Sequence, residues 1–260
     1  MTIPVIGTAV VNNPYWVTRL YMSIDYPVDT FVVINNNGRG EIDEELDNLK
    51  QITHKFVKQI KVVHMPANVG ASGAWNLIIK CYMNSPYWII VNDDVSFGPG
   101  LLAEMADTVN NDPEVGMVHA NGGDFNVGSW DLFLIRDFII QDYGLFDENL
   151  YPAYCEDADY IMRFVHRPIK AVKSLEKMYY HGHGDKTEYY THGSQTAISE
   201  PKVGELRHQI NQINFDYLNE KWGEGWRLCW PTVLPFEGKP SPISTTTYDL
   251  KFVRSKHLGF

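Results

Sequence analysis

Cysteine is scarce. Cys81, Cys155 and Cys229 are the only three in 260 residues, none sits in a CxxC pair, and any one pairing leaves a thiol over. A disulfide framework or a cysteine-built zinc site fits poorly with that count, and reduced intracellular thiols fit better. Basic charge is also short. Lys and Arg number 22 against 32 Asp and Glu, giving a formal net charge of −10 with no clustered basic run. Neutralising a phosphate backbone takes concentrated positive charge, so no nucleic-acid partner is expected. No apolar run approaches the length of a bilayer span, and the opening "MTIPVIGTAVVNNP" has no basic leader before its short apolar stretch. An unexported, cytoplasmic protein without an integral membrane segment is the expectation.

What is present is ample apolar material, 44% of the residues, enough for one large domain or a domain with an appendage. The first hundred residues alternate β-branched runs with helical patterns: "PVIGTAVV", "YWVTRLYMSI", "TFVVIN", "EIDEELDNLKQI", "IKVVHM", "ASGAWNLIIKCYM" and "YWIIVN". Strand and helix in alternation predict an α/β fold with parallel pairing. The nearly continuous apolar strands predict helices on both faces of the sheet. Further helices are expected over 100–109, from about Glu156, and through "KVGELRHQINQINFDYLNEKWG", with strands at "VGMVHA", "PIKAV" and "EKMYYHGHG". The "NEKWG" that closes the long helix is assigned to packing. From Trp226 the chain is rich in Pro, Thr and aromatics without periodicity, which suggests a C-terminal extension over 226–260.

Open parallel sheets bind ligands at the carboxyl ends of their strands. Here those ends read "VVNN" with Asn12, "INNNGRG" with Asn35 and Asn36, "MPANVG" with Asn68 and Gly70, and "VNDDV" with Asn92, Asp93 and Asp94. Adjacent carboxylates at the end of a buried strand are costly unless positive charge sits beside them. A hard divalent cation, Mg²⁺ or Mn²⁺, supplies it and completes its shell with waters and substrate phosphates. The competing reading is a turn in which Asp93 and Asp94 only cap the following helix.

Taken in order, "INNNGRG", "ANVGASGAWN", "IIVNDDVSF", "GLFDENLYPAYCEDADYIMRF", "YYHGHG" and "NEKWG" resemble the family 2 glycosyltransferases of the GT-A fold, most of all the branch with rhamnosyl- and galactofuranosyltransferases. The resemblance runs from about residue 3 to residue 223. It implies a Rossmann-like, mixed but mostly parallel sheet flanked by helices over 1–225, with a nucleotide-binding half over 1–97 and an acceptor and catalytic half over 98–225. It implies a donor that is a nucleoside-diphosphate sugar, UDP- or dTDP-linked and with rhamnose as one candidate, and a glycan or glycoconjugate acceptor.

By position, Asn92-Asp93-Asp94 resembles the DxD motif, with Asp94 and Asp93 toward the metal and Asn92 replacing its first acid. His181 resembles a histidine that adds a metal ligand, and His183 is its rival on the same strand face. Asn35 stands where the family carries an acid that reads the base; an amide still donates and accepts. Asn68, Gly70 and Asn76 match the segment lining the nucleotide. Asp157, with Glu156, matches the proposed catalytic base for transfer with inversion; helix capping is the alternative. Asp159 and Arg163 read as a structural i,i+4 pair. Trp130 falls where the family lines the acceptor pocket, though a buried packing role competes.

Two other functions compete. A sugar-nucleotide pyrophosphorylase uses a similar sheet but carries a Gly-rich, Arg-bearing loop where this chain reads "AVVNNPYW". A non-catalytic carbohydrate-binding protein would suit the seven Trp and fifteen Tyr, and would need neither nucleotide nor metal.

Overall fold

The structure is a computed structural model that describes residues 1–120, 130–166, 171–176, 179–182 and 201–226. Its centre is a seven-stranded sheet. The first four strands are β1 (Ile3–Val10), β2 (Val28–Asn35), β3 (Val57–His64) and β4 (Tyr87–Val91). Chain order continues with β5 (Val95–Phe97), β6 (Val115–His119), β7 (Leu132–Arg136), β8 (Ala171–Ser174) and β9 (Tyr179–His181). The large sheet runs β3-β2-β1-β4-β7-β6-β8, and β5 with β9 forms a separate two-stranded antiparallel sheet. All pairings among β1 to β4 are parallel, as the alternating pattern predicts, while β7 runs antiparallel to both its neighbours.

Helices α1 (Pro14–Met22), α2 (Asp43–Asn48), α3 (Gly70–Cys81), α4 (Leu101–Asn111), α5 (Asp137–Tyr143), α6 (Glu156–His166) and α7 (Pro201–Trp222), with a 3-10 turn at Leu49–Gln51, complete the described elements. Strand β4 shows why both faces are covered. Tyr87, Ile89 and Val91 join a core with Leu20, Leu46, Leu102 and Met105, while Trp88 and Ile90 join a second core with Trp75, Ile78, Ile139 and Tyr160. Successive side chains of a strand point to opposite faces, so a strand buried on both sides must be apolar throughout.

Two elements differ from the sequence reading. The residues after Asp94, where the sequence reading placed no strand, form β5 because Val95, Ser96 and Phe97 pair with His181, Tyr180 and Tyr179. The stretch before Glu156, where the sequence reading placed no helix, contains α5, whose Ile139 is buried against the sheet. Residues 227–260, nearly all of the expected C-terminal extension, and His183 lie outside the described residues.

The antiparallel direction of β7 matters for the site. The first residue of an antiparallel strand lies at the same sheet edge as the last residue of its parallel neighbour. Val91 pairs with Leu132 in register, so Asp131, just before β7, arrives beside Asn92, just after β4.

Candidate functional site

The edge where β4 ends gathers acidic groups around one histidine. Asp94 precedes β5, and its carbonyl accepts from Gly182 N at 2.8 Å, which locks it to β9. Across that ladder His181 Nε2 lies 3.1 Å from Asp94 Oδ1, with side chains 6% and 2% exposed. His181 Nδ1 lies 3.4 Å from Asp131 Oδ2. Asp131 is in turn fixed by Tyr179, whose hydroxyl donates to Oδ2 at 3.2 Å, and by Asn92, whose Nδ2 donates to Oδ1 at 3.1 Å. Burial foremost, and then the Asp94 charge, push the Asp93 carboxyl well above the ordinary carboxylate range. Burial disfavours a charged His181, yet Asp94, Asp131 and Asp93 outweigh it and raise the imidazole to about 9.

The structure thus brings Asp93, Asp94 and His181 together, as the sequence suggested. It adds Asp131, which sequence reasoning passed over although it adjoins Trp130 in "SWDLF". Its signal is tertiary, because only β7's direction brings it to this edge.

Among the described residues no group of three or more His, Cys, Asp or Glu side chains is arranged as a ready metal cage. A Mg²⁺ or Mn²⁺ site that borrows phosphate oxygens needs fewer protein ligands. Adjacent ligands of an octahedral ion with bonds of roughly 2.1 Å stand about 3 Å apart. The 3.1 Å between Asp94 Oδ1 and His181 Nε2 matches that spacing, and the surplus of carboxylate around one imidazole suits a cation. The residues fit a divalent ion.

Farther along the edge, three consecutive asparagines stitch loops together. Asn35 Nδ2 donates to Asp43 Oδ1 at 2.6 Å and lies 2.9 Å from His64 Nδ1. Asn36 Oδ1 accepts from Val69 N at 2.8 Å, and its Nδ2 donates to Asn68 Oδ1 at 3.0 Å. Asn37 Nδ2 donates to Val11 O at 2.7 Å. Asn12 follows β1 at the same edge. Asn37, Asp43 and His64 belong to this hub and were not foreseen, since their partners sit on other strands.

Two residues of α3 matched to the nucleotide segment also join loops. At Gly70, φ 79°, a Cβ would meet Tyr151 Cδ2 at 2.9 Å and Pro152 O at 3.0 Å. Its missing side chain admits the loop that leads to α6, and Ala71 N donates to Pro152 O at 2.7 Å. Asn76, expected beside the nucleotide, is buried and braces that same region: it donates to Phe146 O and Glu148 Oε1 at 2.8 and 2.9 Å and accepts from Phe146 N at 2.9 Å. Both residues join the nucleotide half to the α6 half.

Helix α6 opens with Glu156 and Asp157 in its first turn, where the helix dipole favours anions. Asp157 Oδ1 accepts from Ala158 N at 2.7 Å. Glu156 is buried, its Oε2 lacks a hydrogen-bond partner among the described residues, and burial followed by the Asp157 charge raises it to about 8. Near neutral pH Glu156 is therefore held toward its neutral form. A carboxyl whose folded pKa lies above its unfolded value binds more protons in the native state, so stability falls as pH rises from about 4.5 through about 8. Urea denaturation is expected to show lower stability at pH 9 than at pH 5, with a flatter pH dependence in Glu156→Gln; an unchanged slope in that variant would remove Glu156 as the cause.

Asp159 and Arg163 form the expected pair, at 2.6 Å from Nη2 and 3.1 Å from Nε. Asp159 also receives Trp222 Nε1 at 2.9 Å and lies 2.6 Å from Lys221 Nζ. "NEKWG" therefore packs through Trp222, as expected, and in addition ties two polar atoms to α6. Trp130 is only 6% exposed, within a cluster of edge-on contacts with His119, Phe133 and Tyr160. The structure places it as a packing residue of the second core, and residues 121–129 before it lie outside the described set.

Comparison with known proteins gives three findings. The model of the family described as "Glycosyl transferase family 2" matches residues 13–165, more than half the chain. A "Galactofuranosyl glycosyltransferase" of Leishmania donovani is 23% identical across 56% of this chain and 49% of that protein, so the chain spans about half the length of this curated relative. Among solved structures, S. aureus TarS 1-349 in complex with UDP-GlcNAc superposes with a TM-score of 0.56 at 14% identity, covering 88% of this chain and 74% of that one. GalNAc-T7 with UDP, GalNAc and Mn2+ gives 0.55 at 12% identity, covering 99% and 58%. At these identities the structural matches establish a shared fold.

Proposed function

The chain belongs to glycosyl transferase family 2 and has a GT-A type fold, and from that premise we propose that it transfers a sugar from a nucleoside diphosphate to a hydroxyl of a glycan acceptor, with inversion. The observation that carries this reading is the Asp94–His181 pair held at the end of β4 by the β5–β9 ladder. Asp94 and His181, with Asp93 behind them, would hold Mn²⁺ or Mg²⁺. When bound, the ion offsets the charge that develops on the departing diphosphate. Asp157, in the first turn of α6, accepts the proton of the acceptor hydroxyl, while its buried neighbour Glu156 is held toward its neutral form.

The nucleoside is assigned to the asparagine hub at the ends of β1 to β3. Both solved neighbours are complexes with UDP or a UDP-sugar, which favours UDP here, and the galactofuranosyl relative adds galactofuranose to rhamnose as a donor sugar to test. The test is release of nucleoside diphosphate from a panel of UDP- and dTDP-sugars with a glycan acceptor. Turnover with at least one donor is expected. Glycan binding without nucleotide binding, measured by calorimetry, would favour the carbohydrate-binding alternative instead.

Asp131 is placed as the residue that orients His181. A carboxylate on the second ring nitrogen fixes the tautomer and aims the first nitrogen at the ion, and losing such a partner costs about 10- to 100-fold in metal affinity. Asp131→Asn is therefore expected to bind Mn²⁺ that much more weakly by calorimetry. Unchanged affinity would leave Asp131 as a packing residue.

A further inference from the structure

Helix α7 turns a buried polar face toward the segment that leads into α6. Positions 214, 217 and 221 lie three and four residues apart, on one stripe of the helix. Asn214, 1% exposed, donates from Nδ2 to the carbonyls of Ala153 and Tyr154, both at 2.9 Å. The Tyr217 hydroxyl donates to Asp147 Oδ2 at 2.6 Å. Lys221 Nζ lies 2.7 Å from Asp147 Oδ2 and 2.6 Å from Asp159 Oδ1. A helix that only needed to cover a core would bury apolar groups on this stripe.

The two carbonyls held by Asn214 are special by position. Tyr154 and Cys155 both have left-handed backbone, φ 76° and 71°, a region that residues with a Cβ rarely enter. The plane of the 153–154 peptide governs φ of Tyr154, and the plane of the 154–155 peptide governs φ of Cys155. Asn214 holds the oxygen of each plane. Cys155 O then accepts from Asp159 N at 3.0 Å, which starts the helix that carries Glu156 and Asp157. The Arg207 guanidinium, also from α7, lies over the Tyr154 ring 5.1 Å from its centroid.

We propose that α7 is a positioning element for Asp157: Asn214 pins the two left-handed peptides just before Glu156, and Lys221 with Trp222 pins Asp159 just after Asp157, so the first turn of α6 is held on both sides. The proposal rests on the reading of Asp157 as the base. Neither Asn214 nor Lys221 touches substrate in this account. They act through backbone direction.

The test compares Asn214→Ala, Lys221→Met, Lys221→Arg and Asp157→Asn in the full chain, with UDP binding and thermal unfolding as folding controls. Misplacing a reacting group by an ångström costs roughly 100-fold in rate. For Asn214→Ala, kcat is expected to fall by about that factor while the donor KM stays unchanged. Lys221→Met leaves Asp159 with Arg163 and Trp222, and Asp147 with Tyr217, and is the second variant should Asn214→Ala fail to fold. It is expected to lose kcat in the same way, and Lys221→Arg to recover part of it. Wild-type kcat in folded Asn214→Ala or Lys221→Met, alongside an inactive Asp157→Asn, overturns the positioning role alone. Full turnover in Asp157→Asn overturns the base assignment beneath it.

Discussion

Asp157→Asn is expected to lower kcat by about 10²- to 10⁴-fold, the range that a positioned general base contributes, with little change in donor affinity. The substitution keeps the side chain's shape and its oxygen for Ala158 N, a bond of 2.7 Å, so the start of α6 is retained. What it removes is the site that takes a proton. Glu156 cannot substitute near neutrality, because burial and the Asp157 charge keep its proton on up to about pH 8. Removing the Asp157 charge lowers that barrier somewhat, so some alkaline recovery of rate in Asp157→Asn would point to Glu156 taking over. Glu156→Gln should be far milder, since a neutral amide resembles the neutral acid it replaces. Initial rates of nucleoside diphosphate release across pH measure all of this, and full turnover in Asp157→Asn at pH 7 would end the assignment.

The sheet and its ligand edge were legible because they are written in local pattern. The unbroken apolar run of Tyr87 to Val91 announces a strand buried on both faces, and the acids after it stand out against that run. The Asp159 and Arg163 pair was legible for the same reason, as both partners lie on one helix. What could not be seen were partners set by topology. Asp131 reaches His181 only because β7 runs antiparallel, and β5 exists only because β9 lies beside it. That Gly70 also lies against the Tyr151–Pro152 loop is equally invisible in the sequence, since that loop is about 80 residues away in the chain. The packing assigned to "NEKWG" gave no hint of the Lys221 and Asn214 contacts, because their partners lie about 60 residues or more away in the chain.

Asp94→Ala is expected to bring turnover to the background level, a loss of at least about 10³-fold if the ion supplies several kcal/mol to the departing charge. Asp94 is the acid placed directly against His181, and Asn92, at the first position of the motif, is a neutral amide already engaged with Asp131. The neighbouring acids compensate poorly: Asp131 is engaged with Asn92, Tyr179 and the other nitrogen of His181, and Asp93 is buried and held toward its protonated form by that burial and by Asp94 itself. Removing Asp94 also takes from His181 the contact that most favours its charged form, and so alters the imidazole even without an ion. Three measurements separate these effects. Chelation should abolish wild-type turnover and Mn²⁺ restore it, while Mn²⁺ should restore nothing in Asp94→Ala. UDP with Mn²⁺ at a hundredfold excess over its dissociation constant should stabilise the wild type by about 2.7 kcal/mol, and the variant much less. Unfolding of the metal-free proteins reports whether the variant's loss is structural. Turnover that survives both thorough chelation and Asp94→Ala would mean that the acids at the end of β4 serve only the β5–β9 ladder.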